Sequence, residues 1–165
     1  PNIRHTGPLG FSQTPLFAVI TRGAGDKAAK VRRLIDLGAD MNDRVSGGTP
    51  AMQAVTWFGQ YELALMMLEA GADHRTYQHN DYRRLIHVVA GQERRLNEYT
   101  PEQRAKFHEL VKWLEGRGES YAEAKADIER WDSWCRTTGE FREKMDAEIA
   151  ERMAREKAAV KKQPE

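Results

Sequence analysis

The chain has 165 residues, enough for one domain with a sizeable core and too few for two ordinary ones. Its 26 Lys and Arg balance 25 Asp and Glu to a net charge of +1, so no global field draws it onto nucleic acid or an anionic bilayer. The single cysteine, Cys135, excludes an internal disulfide and a thiolate-rich zinc site, and no run approaches the roughly 18 apolar residues that span a membrane.

Residues 1–11 read as an extended N-terminal segment in which "GPLG", residues 7–10, is a turn. The chain opens on Pro1 rather than Met, which points to a removed segment with room for a signal peptide. The next stretch, "QTPLFAVI", with its Thr-Pro at Thr14, is answered by "GTPAMQAV", with its Thr-Pro at Thr49. Thr before Pro suits a helix start, because the hydroxyl accepts an orphan backbone N–H and Pro at the first helical position forfeits no needed donor. The closing signals repeat as well. "LIDLGAD" ends at Asp40, "LEAGAD" ends one period later at Asp73, and a worn version, "LEGRGES", ends at Ser120. Gly38 and Gly71 follow Leu-rich runs, where a left-handed residue ends a helix without steric cost. Between the signals lie two short apolar segments, residues 51–55 and 63–68, so each unit reads as helix, turn, helix.

A third copy, "RLIHVVA", begins at Arg84, as far beyond Thr49 as Thr49 lies beyond Thr14, but without Thr-Pro. The interval from Arg84 to Gly118 is longer than that from Thr49 to Gly71, and the excess reads as a long loop, "GQERRLNEYTPEQ". At its end Thr100, Pro101 and Gln103 fit a capping box, after which Phe107, Leu110, Val111 and Leu114 recur on one helical face. Tyr121, Ala124, Ile128, Trp131 and Cys135 then form one apolar stripe over residues 120–136, read as a cap on an array that would otherwise end in exposed apolar surface. Phe141, Met145, Ile149 and Met153 follow every four residues in a final helix bearing the pairs Glu140/Lys144, Glu148/Arg152 and Glu151/Arg155. Residues 161–165 read as a frayed tail.

"TPLFAV…LIDLGADMN" and "TPAMQAV…MLEAGADHR" resemble ankyrin repeats, built on T-P-L-H-x-A-A and G-A-D-x-N at a period near 33, and "IHVVA", residues 86–90, stands where such a repeat has its His. The resemblance covers about residues 12–121, and it departs from the pattern at Phe17 and Met52, which replace the His, and at the extra "TRGAGDKAAK" of the first copy. It implies an all-α ankyrin-repeat solenoid over residues 12–119, of about three helix pairs, the third degenerate with an inserted loop. C-terminal capping helices over residues 120–160 would close it. It also implies a protein partner gripped by hairpin tips and inner helices. The segments "RRLIHVVA", "FGQYELALMMLEAGAD" and "YAEAKADIERWDSW" are further similar to bacterial ankyrin-type immunity proteins that accompany secreted antibacterial effectors of type VI secretion, lipases among them. That setting implies a toxin inhibitor acting by occlusion of the active site, with the periplasm favoured over the cytoplasm.

The candidate contact residues follow from these placements. Arg44 stands at the first hairpin tip, and Arg75, Tyr77, His79, Asn80 and Tyr82 crowd the second. Tyr and Arg carry much of the energy at interfaces, although Tyr77 or Tyr82 covering the next repeat would look the same in sequence. Thr56 and Trp57 end an inner helix, where Trp57 or Phe58 filling space between helix pairs is the competing reading. Arg94, Arg95 and Tyr99 lie on the long loop, and residues 74–106 carry seven Lys/Arg against four Asp/Glu, fit for an acidic partner or simply a solvated face.

Catalysis finds little to work with. Cys135 could pair with a His only without any triad signature, and it sits on an apolar stripe. His87 falls at the family's structural His position. His74 and His79 lack further ligands at zinc spacing, and no glycine-rich phosphate loop is present, so neither metal nor cofactor is expected. A general ankyrin scaffold is the alternative to an immunity protein, and an enzyme using Cys135 and His87 stands last.

Overall fold

The computed structural model describes residues 2–6, 12–44, 48–77, 83–132 and 139–160, with only the backbone of His5, Thr6, Ser12, Trp57, Phe58 and Val160. The described residues are helical almost throughout. In chain order they form α1 (Pro15–Arg22), α2 (Lys27–Asp36), α3 (Pro50–Phe58), α4 (Tyr61–Glu69), α5 (Leu85–Gln92), a 3₁₀ helix (Glu93–Glu98), α6 (Pro101–Glu115), α7 (Tyr121–Asp132) and α8 (Gly139–Val160). Before α1, β1 (His5–Thr6) pairs antiparallel with β2 (Ser12–Gln13), His5 opposite Gln13 and Thr6 opposite Ser12. The class is all-α. The chain divides into a unit of residues 1–126 and a second of residues 127–165, with the division inside α7.

Two local devices start and stop the helices of the first unit. Thr14 Oγ1 accepts from the Phe17 N–H at 3.2 Å and Thr49 Oγ1 from the Met52 N–H at 3.4 Å, each with Pro at the next position. At the other end of each pair a glycine turns left-handed, at φ 76° for Gly38 and 98° for Gly71. The glycine N–H then reaches back three residues and the following alanine N–H five. Gly38 bonds Ile35 O and Ala39 bonds Leu34 O, while Gly71 bonds Leu68 O and Ala72 bonds Met67 O, all at 2.9–3.0 Å. These bonds satisfy carbonyls that the end of a helix otherwise orphans. The worn third signal folds the same way: Gly118 has φ 85°, its N–H bonds Glu115 O at 3.0 Å, and the Glu119 N–H bonds Leu114 O at 3.2 Å.

The pairs α1–α2, α3–α4 and α5–α6 stack in register. One row runs α1, α3, α5 and the other α2, α4, α6, each helix packed against its row neighbour and its pair partner. Position in the row sets burial. In α3, flanked on both sides, Ala51, Met52, Gln53, Ala54 and Val55 are all buried, whereas in α1 Ala18 and Val19 stay partly open. Phe17 and Met52, which replace a His in the sequence pattern, are buried as apolar packing. Of the extra stretch of the first pair, Thr21 and Arg22 end α1 and residues 27–30 begin α2, leaving residues 23–26 as a short connection in which Asp26 Oδ1 caps α2 at the Ala29 N–H, 2.9 Å away.

The third pair is joined by a 3₁₀ helix rather than an irregular loop, and Thr100 and Gln103 cap α6 reciprocally, at 3.2 and 3.0 Å. An aromatic cluster ties this connection to the second pair. The Tyr61 ring meets Tyr99 at 5.7 Å and Phe107 at 5.4 Å, and Phe107 meets Tyr121 at 6.2 Å, all edge to face. Burial pushes the Tyr61 phenol far above its ordinary pKa, so it is a neutral core residue at physiological pH.

In the second unit the buried Asp127 carboxylate accepts from Arg130 at 2.8 Å and Arg152 at 2.7 Å, and both arginines also pair with Glu148. This cross-link holds the last turn of α7 to α8, whose Met145 is fully buried and whose Met153 is exposed. The three i, i+4 pairs of α8 form between Glu140 and Lys144, Glu148 and Arg152, and Glu151 and Arg155.

Glycine substitution separates backbone strain from packing. A Cβ at Gly38 meets nothing within 4 Å, so Gly38→Ala is expected to cost about 1–2 kcal/mol from the left-handed backbone alone. A Cβ at Gly59, φ 56°, falls 2.9 Å from the Tyr99 ring, so Gly59→Ala is expected to cost more than Gly38→Ala in urea denaturation.

Candidate functional site: turns and the 3₁₀ connection

The described residues among those singled out in the sequence fall on three regions of the first unit, the segments that follow the closing turns, the end of α3 and the 3₁₀ connection with Tyr99. At the turns most of the polar side chains are engaged in holding neighbouring pairs together. Asp40 Oδ1 accepts from the Asn42 N–H at 2.8 Å, and Asp73 Oδ1 from the Arg75 N–H at 2.7 Å, so the same tight turn recurs in successive pairs. Asn42 Oδ1 then accepts from the Asp73 N–H at 2.8 Å and bridges one turn to the next. Thr76 Oγ1 donates to the second Asp73 oxygen, and these bonds hold the Asp73 carboxyl below its ordinary range despite partial burial.

Arg44 is exposed, and its Nη2 donates to Tyr77 O at 2.7 Å. Arg75 Nη2 donates to Arg117 O at 2.8 Å, one turn further along. The Tyr77 ring lies half-buried with the Arg84 guanidinium 4.9 Å from its centre. His79, Asn80 and Tyr82 lie outside the described residues, as does Cys135. Thr56 is exposed near the end of α3 and its hydroxyl donates to Met52 O at 2.8 Å; Trp57 follows it on the same helix, its side chain outside the description.

On the 3₁₀ helix Arg94 is exposed, while Arg95 Nε donates to Glu98 at 3.0 Å and its guanidinium lies 5.7 Å from the centre of the Tyr99 ring. Tyr99 itself is half-buried, packed edge-on against Tyr61 and bonded through its hydroxyl to Gln92 at 3.2 Å. Arg44, Arg75, Tyr77 and Tyr99 thus all do structural work in the folded chain. Thr56 and Arg94 present exposed side chains at separate places.

Two features were not visible in the sequence. Arg84 and Glu119, from opposite ends of the third pair, form a buried ion pair at 3.6 Å with side chains 6% and 4% exposed. Arg84 occupies the helix-start position held by Thr14 and Thr49, and Glu119 the turn position held by the small Ala39 and Ala72. His87 Nδ1 accepts from the Arg84 N–H at 3.2 Å, so the buried imidazole reaches back to the start of its own helix, while the His87 N–H, the donor that a threonine hydroxyl takes in the first two pairs, bonds Arg84 O at 3.1 Å. The second feature is a groove of about 670 Å³ where the first turns of α2, α4 and α6 meet, edged by Lys27, Gln60, Glu62, Glu102, Gln103 and Lys106. Its polar edge comes from residues far apart in sequence, so only the stacking of the pairs assembles it.

His74 packs edge to face on Trp113 at 5.6 Å, and the Arg117 guanidinium covers that indole at 3.4 Å. Burial, and then the positive charge of Arg75, Arg117 and Arg84 against the opposing Asp73, lowers the His74 pKa below its ordinary 6.5. Among the described residues no three His, Cys, Asp or Glu side chains gather as a metal site, and no helix is long and apolar enough to cross a membrane. Compared with protein-family models, curated proteins and solved structures, the chain finds no match.

The ion pair is expected to behave as a unit. Glu119→Ala leaves the Arg84 charge buried without its carboxylate and is expected to cost about 3–5 kcal/mol. The double variant Arg84→Thr with Glu119→Ala, which restores the residue types of the first two pairs, is expected to recover most of that loss in a double-mutant cycle. For His74, a folded pKa below the unfolded one means stability that is present above about pH 6.5 and is lost as the pH falls beneath it toward the folded value. The urea midpoint is therefore expected to drop more in the parent chain than in His74→Gln between about pH 7 and about pH 5.5.

Proposed function

We propose that the first unit is an ankyrin-type stack and that the chain works without chemistry, by binding a protein partner. Its most concrete form is an immunity protein that blocks a cognate secreted bacterial toxin, of the lipase kind, by covering the active-site entrance. The observation that carries this reading is the recurrence of one closing turn at Gly38, Gly71 and Gly118, with the Asn42 bridge between the first two. Such a turn stacks helix pairs into a slab and leaves loops and one helix row available along its edge.

The resemblance of "RRLIHVVA" and "FGQYELALMMLEAGAD" to effector-associated ankyrin proteins supplies the partner class. The exposed Thr56 and Arg94 supply places where a partner can be gripped at little cost to the stack. Arg94 adds a charge in a segment of local positive excess, suited to an acidic rim on the toxin.

The test is binding to the product of the neighbouring gene by calorimetry, together with protection of cells that express it. Thr56→Arg and Arg94→Glu are expected to weaken binding by about tenfold or more each, about 1.4 kcal/mol, while leaving the urea midpoint near that of the parent. Binding that leaves the toxin fully active, or no binding at all, overturns the proposal.

A further inference from the structure

The N-terminal residues repeat what the closing turns do. Asn2 Oδ1 accepts from the Asp40 N–H at 2.7 Å, just as Asn42 Oδ1 accepts from the Asp73 N–H at 2.8 Å. The amide of Asn2 also donates to Gly38 O at 3.1 Å. Two positions after each asparagine stands an arginine that reaches across to the next segment, Arg4 to the Asp43 carboxylate and Arg44 to Tyr77 O. The interval from Asn2 to Asn42 is longer than that from Asp40 to Asp73, the extra length lying both between Asn2 and Thr14 and between Thr14 and Gly38. Residues 2–4 are thus built as the exit from a closing turn, although the described residues hold no helix pair on that side of α1.

The surface beside them is open in the same sense. Ala18 and Val19 of α1 are partly exposed, whereas their counterparts Gln53 and Ala54 in α3 are buried between two neighbours. Leu34 and Ile35 of α2 are partly exposed, whereas Met67 and Leu68, at the same positions of the next pair, are buried. Ile3 is 71% exposed and Leu37, beside the Gly38 turn that Asn2 holds, is 50% exposed. Apolar side chains left open on one flank of a stack are those that another pair covers.

We infer that the α1–α2 flank is a docking surface for one further helix pair of the same build, whose left-handed closing turn leads directly into Asn2. The occupant is specified by its chemistry: two short amphipathic helices ending in a Gly-Ala-Asp-type turn, with the Asn2 amide as its bridge to Asp40. The inference rests on the stacking part of the proposed function and not on the identity of any partner.

The experiment joins a second copy of residues 49–73 directly ahead of Pro1 and follows amide exchange in the extended and parent chains, with no partner present. The α1 and α2 amides are expected to exchange roughly tenfold or more slowly in the extended chain, with the added pair protected to the same degree. Asn2→Ala is expected to lose most of that gain. Unchanged exchange in α1 and α2 overturns the inference, including the case in which the added pair itself remains unfolded. The Asp73 amide, read in the same sample, tells a stack that ends at α1 from one that does not exist. If it is slow while α1 is unchanged, only the docking surface is lost; if it is fast, the stacking reading falls with it.

Discussion

The Asp73 backbone N–H stands where a helix has ended and the chain has turned away, so no helical carbonyl is left to receive it. Asn42, 31 residues earlier, supplies the acceptor from the preceding turn. That bond is possible only because Gly38 and Gly71 fold their turns alike, which places the two Asp-x-Asn/Arg segments side by side. At this exposed position the bond contributes on the order of 1 kcal/mol, and it selects which turn faces which. It reinforces the spacing at which the helix pairs pack, with Ala51, Met52, Ala54 and Val55 buried in α3 between its neighbours.

The third pair shows how much sequence change this arrangement tolerates. Its threonine has become Arg84 and its small turn residue Glu119, yet the left-handed turn at Gly118 and the helix start at Leu85 keep the same geometry. Each substitution alone would bury a charge. Together they form a pair that a neutral packing could replace at little cost, but whose separate loss is severe. His87 secures this helix start by a different bond, accepting from the Arg84 N–H where Thr14 and Thr49 accept from the N–H three residues on, so the degenerate repeat is a rewired one rather than a failing one.

The parts of this fold that depend on local backbone rules were legible in the sequence. Thr-Pro, the closing glycines and the Thr100–Gln103 capping box state their hydrogen bonds within a few residues. The parts set by pairing across the stack were not. Nothing near Arg84 announces Glu119, and nothing near Asn2 announces Asp40. The long loop looked irregular because its apolar anchor, Tyr99, finds Tyr61 and Gly59 only after the second pair has docked. For the same reason a list of exposed-looking polar and aromatic residues mixed bridging side chains such as Arg44, Arg75 and Tyr77 with outward ones such as Thr56 and Arg94. An arginine at a turn has the same composition whether it serves a neighbour or a partner.

Successive turns locked together by a side chain can be read at one atom. Hydrogen exchange of the Asp73 amide, followed by NMR in the parent chain and in Asn42→Ala, isolates the bridge from the helices on either side. The account requires an amide protected on the scale of α3 in the parent and markedly faster on removal of the Asn42 carboxamide. Exchange at the rate of an open peptide in both chains would mean that the pairs are not held turn to turn, and would contradict it.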